Sequence, residues 1–349
     1  MKILLIRFSS LGDVLLNSSI VHFFKLIYQD KVEIFFLTYE EYIEVLDPIG
    51  GISEVIAIKK PKKVKDYIGL LKDSKFTMKM LEIDLIIDLH QNWRSLFFKT
   101  VFFKTPSITL DKRKWERFFL INLKLNLYRD KNHIKRIWKD FFPIFSSLDG
   151  AEREVFFTNT YFQLKKKTNE IDYLDHRKKL KQIIIFPIAA HDLKRWPQVN
   201  YINYIKLLSE KIPNDFQIKV VCGPNDFIEE EFQENKMSIK QNYQLIRSKK
   251  IKETVEIVSN ALLLVGNDTG AMHLASMFSI PSITLFGATS EYFGFSPIYP
   301  QKQFTLSRDI WCRPCTATGS GFCFRKNKKE CLTEIRVGDL IDQTLKIIL

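Results

Sequence analysis

Residues 261–286 read ALLLVGNDTGAMHLASMFSIPSITLF, and their reading decides the fold class. Leu262 to Val265 is an apolar run of strand length, Gly266-Asn267-Asp268-Thr269-Gly270 is turn chemistry, and Ala271 to Phe278 has helical composition before Pro281 and a second apolar run. Strand, turn, helix, strand is the repeating unit of a parallel α/β sheet. A helix that starts directly after a glycine turn has backbone N–H groups without intrahelical partners and the positive end of its dipole there. Its natural ligand is a phosphate or diphosphate. Thr269 adds a hydroxyl and His273 follows one turn in; Gly270 and Ala271 would offer backbone alone. The plainer alternative is that Asp268 or Thr269 caps the helix and His273 packs.

The same alternation runs upstream. Ile183 to Pro187 (IIIFP) opens a series of strand, loop 188–197, helix over 200–211, strand 218–222, a Gly223-Pro224-Asn225-Asp226 loop, an acidic helix, a strand over 243–246 and a helix over 251–260. An earlier series occupies 1–58, with strands over 2–8, 32–37 and 55–58, and a further strand is read over 83–89. A polar, charged run from 161 to 181 separates the two as a candidate linker. The chain therefore reads as two doubly wound α/β domains with a cleft between them. With 349 residues and 46% apolar content it can fill two cores. No apolar run approaches the ~18 to 20 residues needed to span a bilayer. The opening MKILLIRFSS is interrupted by Arg7 and reads as a first buried strand, which points to a cytosolic protein.

Parallel sheets of this kind bind ligands at the carboxyl ends of their strands. Three loops lie there. The first, RFSSLGDVLL over 7–16, holds Ser10, Gly12 and Asp13 but no G-x-G-x-x-G, so hydride chemistry is disfavoured. Asp13 is either a first-turn acid favoured by the helix dipole or a carboxylate held by a glycine turn to take a proton from a hydroxyl. The second, DLHQNWRS over 88–95, collects Asn92 and Arg94. The third, AAHDLKRWP over 189–197, shares an edge with the GNDTG turn, so Lys194 or Arg195 can reach an anion at that helix start.

The formal charge is +13, from 53 Lys and Arg against 40 Asp and Glu, and favours polyanionic partners without choosing among them. Two basic groups stand out: KKPKKVK over 59–65, with Lys62 and Lys63, and KRKWER over 112–117, with Arg113 and Arg117. The aromatics interleaved in the second suit single-stranded nucleic acid, but their spacing better fits an amphipathic helix docked on the core. Cys312, Cys315, Cys323 and Cys331 form C-x2-C-x7-C-x7-C, which can ligate zinc or an iron–sulfur cluster although the outer spacings match no standard ribbon. Reduced cytosolic thiols are the plainer reading.

Taken together, RFSSLGDVLL at 7–16, DLHQNWRS at 88–95, KRWP at 194–197, GNDTGAMHLAS at 266–276 and PSITLFG at 281–287 resemble the heptosyltransferase family of bacterial glycosyltransferases, the ninth sequence family of that class. The cysteine-containing tail resembles that of many members. The resemblance implies a GT-B fold, with two Rossmann-like domains facing across a cleft. It also implies inverting, metal-independent transfer of a sugar, most commonly from ADP-heptose, to the lipopolysaccharide inner core, with no cofactor beyond the nucleotide-sugar donor. Carried over by motif, Asp13 is the general base, and Lys194 holds the diphosphate. Gly12, Ala189, Ala190, Arg195, Asp268, Thr269, Gly270, Ala271 and His273 surround the donor. Ala189 and Ala190 stand where relatives often carry hydroxyls, leaving backbone amides there. Asp226 and Glu229 are both candidates for an acidic donor contact.

On that basis residues 1–165 form the acceptor-side domain and 182–335 the nucleotide-sugar domain. A terminal helix over 336–349 would pack back toward the first. Ser10, Lys62, Lys63, Asn92, Arg94, Arg113 and Arg117 become acceptor contacts, since an inner-core acceptor is phosphorylated and lies in an anionic inner-membrane surface. The protein would then be cytoplasmic and peripheral on that membrane, with no nucleic-acid partner. The competing readings are a nucleotide-sugar 2-epimerase-like enzyme of the same fold and a non-catalytic basic protein that binds nucleotides or nucleic acid.

Overall fold

The computed structural model describes residues 1–46, 49–61, 63–70, 80, 82–128, 180–228, 230–233, 242–278, 280–293 and 303–349. These fall into two compact units, one of residues 1–112 and one of 113–128 with 180–349. The charged run read as a linker lies almost wholly outside the described residues.

The first unit is built on strands β1 (Lys2–Ile6), β2 (Glu33–Tyr39), β3 (Glu54–Ile58), β4 (Leu85–Asp88) and β5 (Ser107–Thr109), all parallel, in the order β3-β2-β1-β4-β5. Ile3, Leu4, Leu5 and Ile6 are wholly buried, as a central parallel strand covered on both faces requires. The second unit carries β6 (Gln182–Phe186), β7 (Gln217–Cys222), β8 (Asn242–Arg247), β9 (Leu263–Asn267), β10 (Ser282–Phe286) and β11 (Gln303–Ser307), again parallel, in the order β11-β10-β9-β6-β7-β8. Each unit thus has one place where the strand order reverses, between β1 and β4 in the first and between β6 and β9 in the second. There the connections leave toward opposite faces and open a crevice at the strand ends.

β5 and β11 are the strands that apolar runs did not reveal. Both lie at sheet edges. All three residues of β5 are exposed, and QFTLS in β11 interleaves polar with apolar side chains, so neither has a continuous apolar signature.

Two boundaries differ from expectation. Residues 113–128 group with the second unit because Leu120 and Tyr128 are buried against Phe293 and Lys124 Nζ donates to the carbonyls of Cys312 and Pro314, both at 2.8 Å. The terminal helix Val337–Ile348 packs within its own unit, against the helix Gln198–Lys211. Leu340 and Ile341 enter the core that surrounds Trp196, and Tyr204 and Thr344 join hydroxyls at 2.8 Å. The apolar face of that helix is satisfied there.

Candidate active site

In the second unit the loops after β6 and β9 meet at the order reversal. The helix after the GNDTG turn is Gly270–Met277, with Thr269 in the N-cap position. Neither side chain offered as a cap does that work. Thr269 makes no cap bond, and its buried Oγ1 has no hydrogen-bond partner among the described residues. Asp268, also buried, instead pairs with Lys194 Nζ at 2.8 Å and accepts from Thr289 Oγ1 at 2.8 Å. Lys194 ends the short turn Asp192–Lys194. Its ammonium is therefore tethered beside the helix start, and two sources of positive potential stand together.

Asn267 sets this arrangement. Completely buried, it accepts from Trp196 N–H and donates to Pro187 O, both at 2.9 Å, and so ties the whole 188–197 loop to the end of β9. Gly266 permits the approach, since a Cβ there would lie 2.7 Å from Phe186 O. A third segment joins at Gly319, held at φ +86°, where a Cβ would come within 2.7 Å of Lys194 Cγ. Asn267 and Gly319 were not singled out in the sequence. Asn267 sat unremarked inside the turn motif, and Gly319 belongs to a TGSG run with no motif of its own. Arg195 does not reach toward the helix start with its Nε, which donates to Ala189 O at 2.6 Å and stiffens the loop. His273 is buried on the helix, as are Gly270's neighbours Ala271 and Met272.

In the first unit the loops after β1 and β4 meet in the same way. The helix begins at Leu11 rather than after the glycine, so Gly12 lies inside it and Asp13 is its third residue. Its carboxylate is held by the Ser10 N–H at 3.2 Å, by the Ser10 hydroxyl at 3.1 Å and by an ion pair with Arg7. Burial alone would raise the Asp13 pKa. The Arg7 charge and the Ser10 bonds outweigh it and hold the group below the usual carboxylate value. Arg7, buried at the end of β1, also donates to Leu89 O and so links the two loops. In the amino-acid order Arg7 shows only as a polar break in an apolar run and the first residue of the 7–16 stretch, with nothing to mark it as the partner of Asp13.

Asp88 organises the second of these loops. It accepts from the N–H groups of His90 and Gln91 at 2.9 and 2.8 Å, from Ser95 Oγ at 3.0 Å and from Lys99 Nζ at 2.9 Å. His90 packs edge-on against Phe8, with neither ring nitrogen partnered among the described residues. Burial, reinforced by the charges of Arg7, Lys112 and Arg94, pushes its pKa down to about 3, so the ring is neutral at physiological pH.

Several proposed contacts have structural duties. Asn92 caps the helix Trp93–Val101, accepting from the N–H groups of Arg94 and Ser95 at 2.9 and 3.3 Å. The Arg94 guanidinium lies 5.5 Å from the Trp93 ring centre. Lys63 has an exposed side chain and donates its N–H to Asp66. Asp226 turns back on its own loop, accepting from Gly223 N–H at 2.6 Å. Arg113 pairs with Glu116, and Arg117 lies over Phe293, both in the second unit rather than with Lys63, Asn92 and Arg94. Ala189 is buried and Ala190 exposed. Lys62 and Glu229 lie outside the described residues.

The four clustered cysteines are free thiols that line one pocket with Leu193, Ala288 and Lys329. Lys329 N–H donates to Cys323 Sγ at 3.4 Å, and burial pushes the Cys331 thiol up to about 11. Among the described residues no group of three or more His, Cys, Asp or Glu side chains is arranged to hold a metal ion.

Two parallel doubly wound sheets of this strand order place the chain in the GT-B fold class. Residues 75–322 match glycosyltransferase family 9 (heptosyltransferase), and the chain belongs to this family; it is a glycosyltransferase. It is 24% identical over 303 residues to lipopolysaccharide heptosyltransferase 1 of Campylobacter coli, covering 84% of this chain and 85% of that protein. The fold is similar to that of E. coli ADP-heptose lps heptosyltransferase II, with a TM-score of 0.66 at 18% identity over 100% of this chain and 98% of the other. It is also similar to E. coli heptosyltransferase WaaC solved with ADP, with a TM-score of 0.61 at 16% identity over the full length of both.

Proposed function

We propose that the protein transfers heptose from ADP-heptose to the lipopolysaccharide inner core, with inversion at the anomeric carbon and without a metal ion. The observation that carries this reading is the Lys194–Asp268 pair at the start of the Gly270–Met277 helix. The leaving group of such a reaction is ADP, whose diphosphate gains negative charge as the glycosidic bond breaks. An ammonium and a helix N-terminus fixed beside it before the reaction stabilise that charge without reorganising. The Thr269 hydroxyl, without a partner among the described residues, is a ready donor to the same phosphate. Support for the nucleotide comes from the ADP bound by WaaC, and for the sugar and acceptor from the lipopolysaccharide heptosyltransferases.

In the first unit, Asp13 is the general base. Held below the ordinary carboxylate value, it is ionised throughout the neutral range, and it takes the acceptor hydroxyl proton as the oxygen bonds to the anomeric carbon. The electron pair of the broken bond leaves on the β-phosphate oxygen. Arg7 keeps the carboxylate charged and in place. Gly12, Ala189, Ala190, Arg195, Asp226, Gly270, Ala271 and His273 are assigned to the donor's surroundings, and Ser10, Lys63, Asn92, Arg94, Arg113 and Arg117 to a phosphorylated acceptor. No helix among the described residues is long and apolar enough to cross a membrane. The acceptor is lipid-borne, so the enzyme works at the cytoplasmic face of the inner membrane, held peripherally by its anionic surface. Nucleic acid has no part in it.

The test is Asp13→Asn. It should lower transfer to a lipopolysaccharide-core acceptor by roughly 10² to 10⁴ while leaving ADP-heptose binding intact. Transfer within a few-fold of the parent enzyme would remove Asp13 from the chemistry.

A further inference from the structure

The segment 114–127 presents apolar side chains to solvent that the fold does not use. It comprises the helix Lys114–Phe118, one wider turn over Phe119–Leu123 and an extended stretch to Tyr128. One side of it is anchored. Leu120 and Tyr128 are buried against Phe293, and Lys124 Nζ bonds the carbonyls of Ile121, Cys312 and Pro314 at 2.7 to 2.8 Å. The other side leaves Trp115 74% exposed and Phe118, Leu123, Leu125 and Leu127 each half exposed or more. The core docking expected of this segment is therefore done by a minority of its apolar residues. Exposed Leu and Phe scattered singly need no explanation, but a contiguous set on an anchored segment does.

The charges say what covers it. From Lys112 to Tyr128 the sequence holds five basic residues and one acid, and although Arg113 pairs with Glu116 and Lys124 is spent on carbonyls, the stretch stays net positive. Lys114 is exposed beside Trp115. Across the Lys124 tie, Trp311 is 68% exposed and packs against Phe324, with Arg325 over its ring. Phe322 follows at 85% exposure, with exposed Lys326 and Lys328 close in sequence. Exposed tryptophan and phenylalanine interleaved with cations match the interface of an anionic bilayer, where rings sit at headgroup depth and cations meet lipid phosphates.

We infer that Trp115, Phe118 and Leu125, with the exposed Lys114 beside them, form the surface by which the second unit docks on an anionic lipid bilayer. This rests on the peripheral attachment proposed above and assigns it to the 114–127 segment rather than to the lysines of 59–65.

The test is sedimentation of the full-length protein with vesicles of phosphatidylethanolamine, with and without phosphatidylglycerol. It compares the parent with a Trp115→Ser, Phe118→Ser, Leu125→Ser triple variant. All three positions are exposed, so the variant should melt at the parent temperature and transfer heptose to a delipidated, water-soluble core acceptor at the parent rate. Its partition onto phosphatidylglycerol vesicles should fall at least tenfold, and parental binding should weaken as salt rises. Equal vesicle binding by parent and variant, or no preference of the parent for phosphatidylglycerol, would overturn the assignment. Loss of transfer by the parent to the soluble acceptor would instead strike the proposed reaction.

Discussion

Replacing Lys194 separates what the buried ion pair does for the fold from what it does for the reaction. In Lys194→Met the stem that packs under Gly319 is largely kept and only the charge is removed. At 2.8 Å the pair's gross attraction is about 6 kcal/mol at an effective dielectric near 20, and desolvation of both ions offsets much of it. The relevant quantity is the penalty for stranding Asp268, which is 5% exposed and would keep, among the described residues, only the Thr289 bond. Removing one partner of such a pair costs about 3 to 5 kcal/mol, and the partial exposure of Lys194 places this case near 3 kcal/mol. The double variant Lys194→Met with Asp268→Asn removes the stranded charge and should recover most of that loss. Neither variant should transfer heptose at more than about a hundredth of the parent rate, because the cation beside the departing diphosphate is gone in both. Urea unfolding gives the stability half and initial rates of ADP release the other. The reasoning is refuted if the single variant loses under 1 kcal/mol, or if the double variant regains activity along with stability.

Two further outcomes test the supporting structure. His90 is neutral in the fold, with its pKa lowered from 6.5 to about 3, whereas the unfolded chain takes up the proton near 6.5. Its contribution is fully present above that value and is lost as pH falls, by about 1.4 kcal/mol per pH unit inside the window. Urea titrations at pH 7 and pH 5 should therefore show the parent losing about 2 kcal/mol more than His90→Leu over that interval. At Gly319, a side chain would meet the Lys194 stem in a left-handed conformation. Gly319→Ala should cost about 1 to 2 kcal/mol and weaken ADP binding measured by calorimetry.

Much of the architecture was legible in the amino-acid order because a parallel strand buried on both faces must be apolar throughout. The runs KILLI and QIIIF could hardly be anything else. The GNDTG turn and its helix were equally plain, since glycine punctuation and helical composition are local signals. Edge strands β5 and β11 escaped for the converse reason: half their surroundings are water, and their residues need no pattern.

Side-chain partners are another matter. Lys194 and Asp268 stand 74 positions apart in sequence and meet only because β6 and β9 pair in register, and nothing local told Lys194 from Arg195, whose Nε is spent on Ala189 O. Local sequence offered Asp268 and Thr269 equally as helix caps, and the tertiary contacts gave Asp268 to a lysine and left the threonine hydroxyl without a partner among the described residues. Asp13 was readable as a first-turn acid, but the Arg7 beside it is held in place by a bond to Leu89 O that exists only because β1 and β4 pair side by side. The sequence by itself determined two parallel sheets and the loops at their strand ends, because burial and turn chemistry act over a few residues. Only the tertiary structure decided which charges in those loops face one another, because ion pairing depends on distances that chain order does not encode.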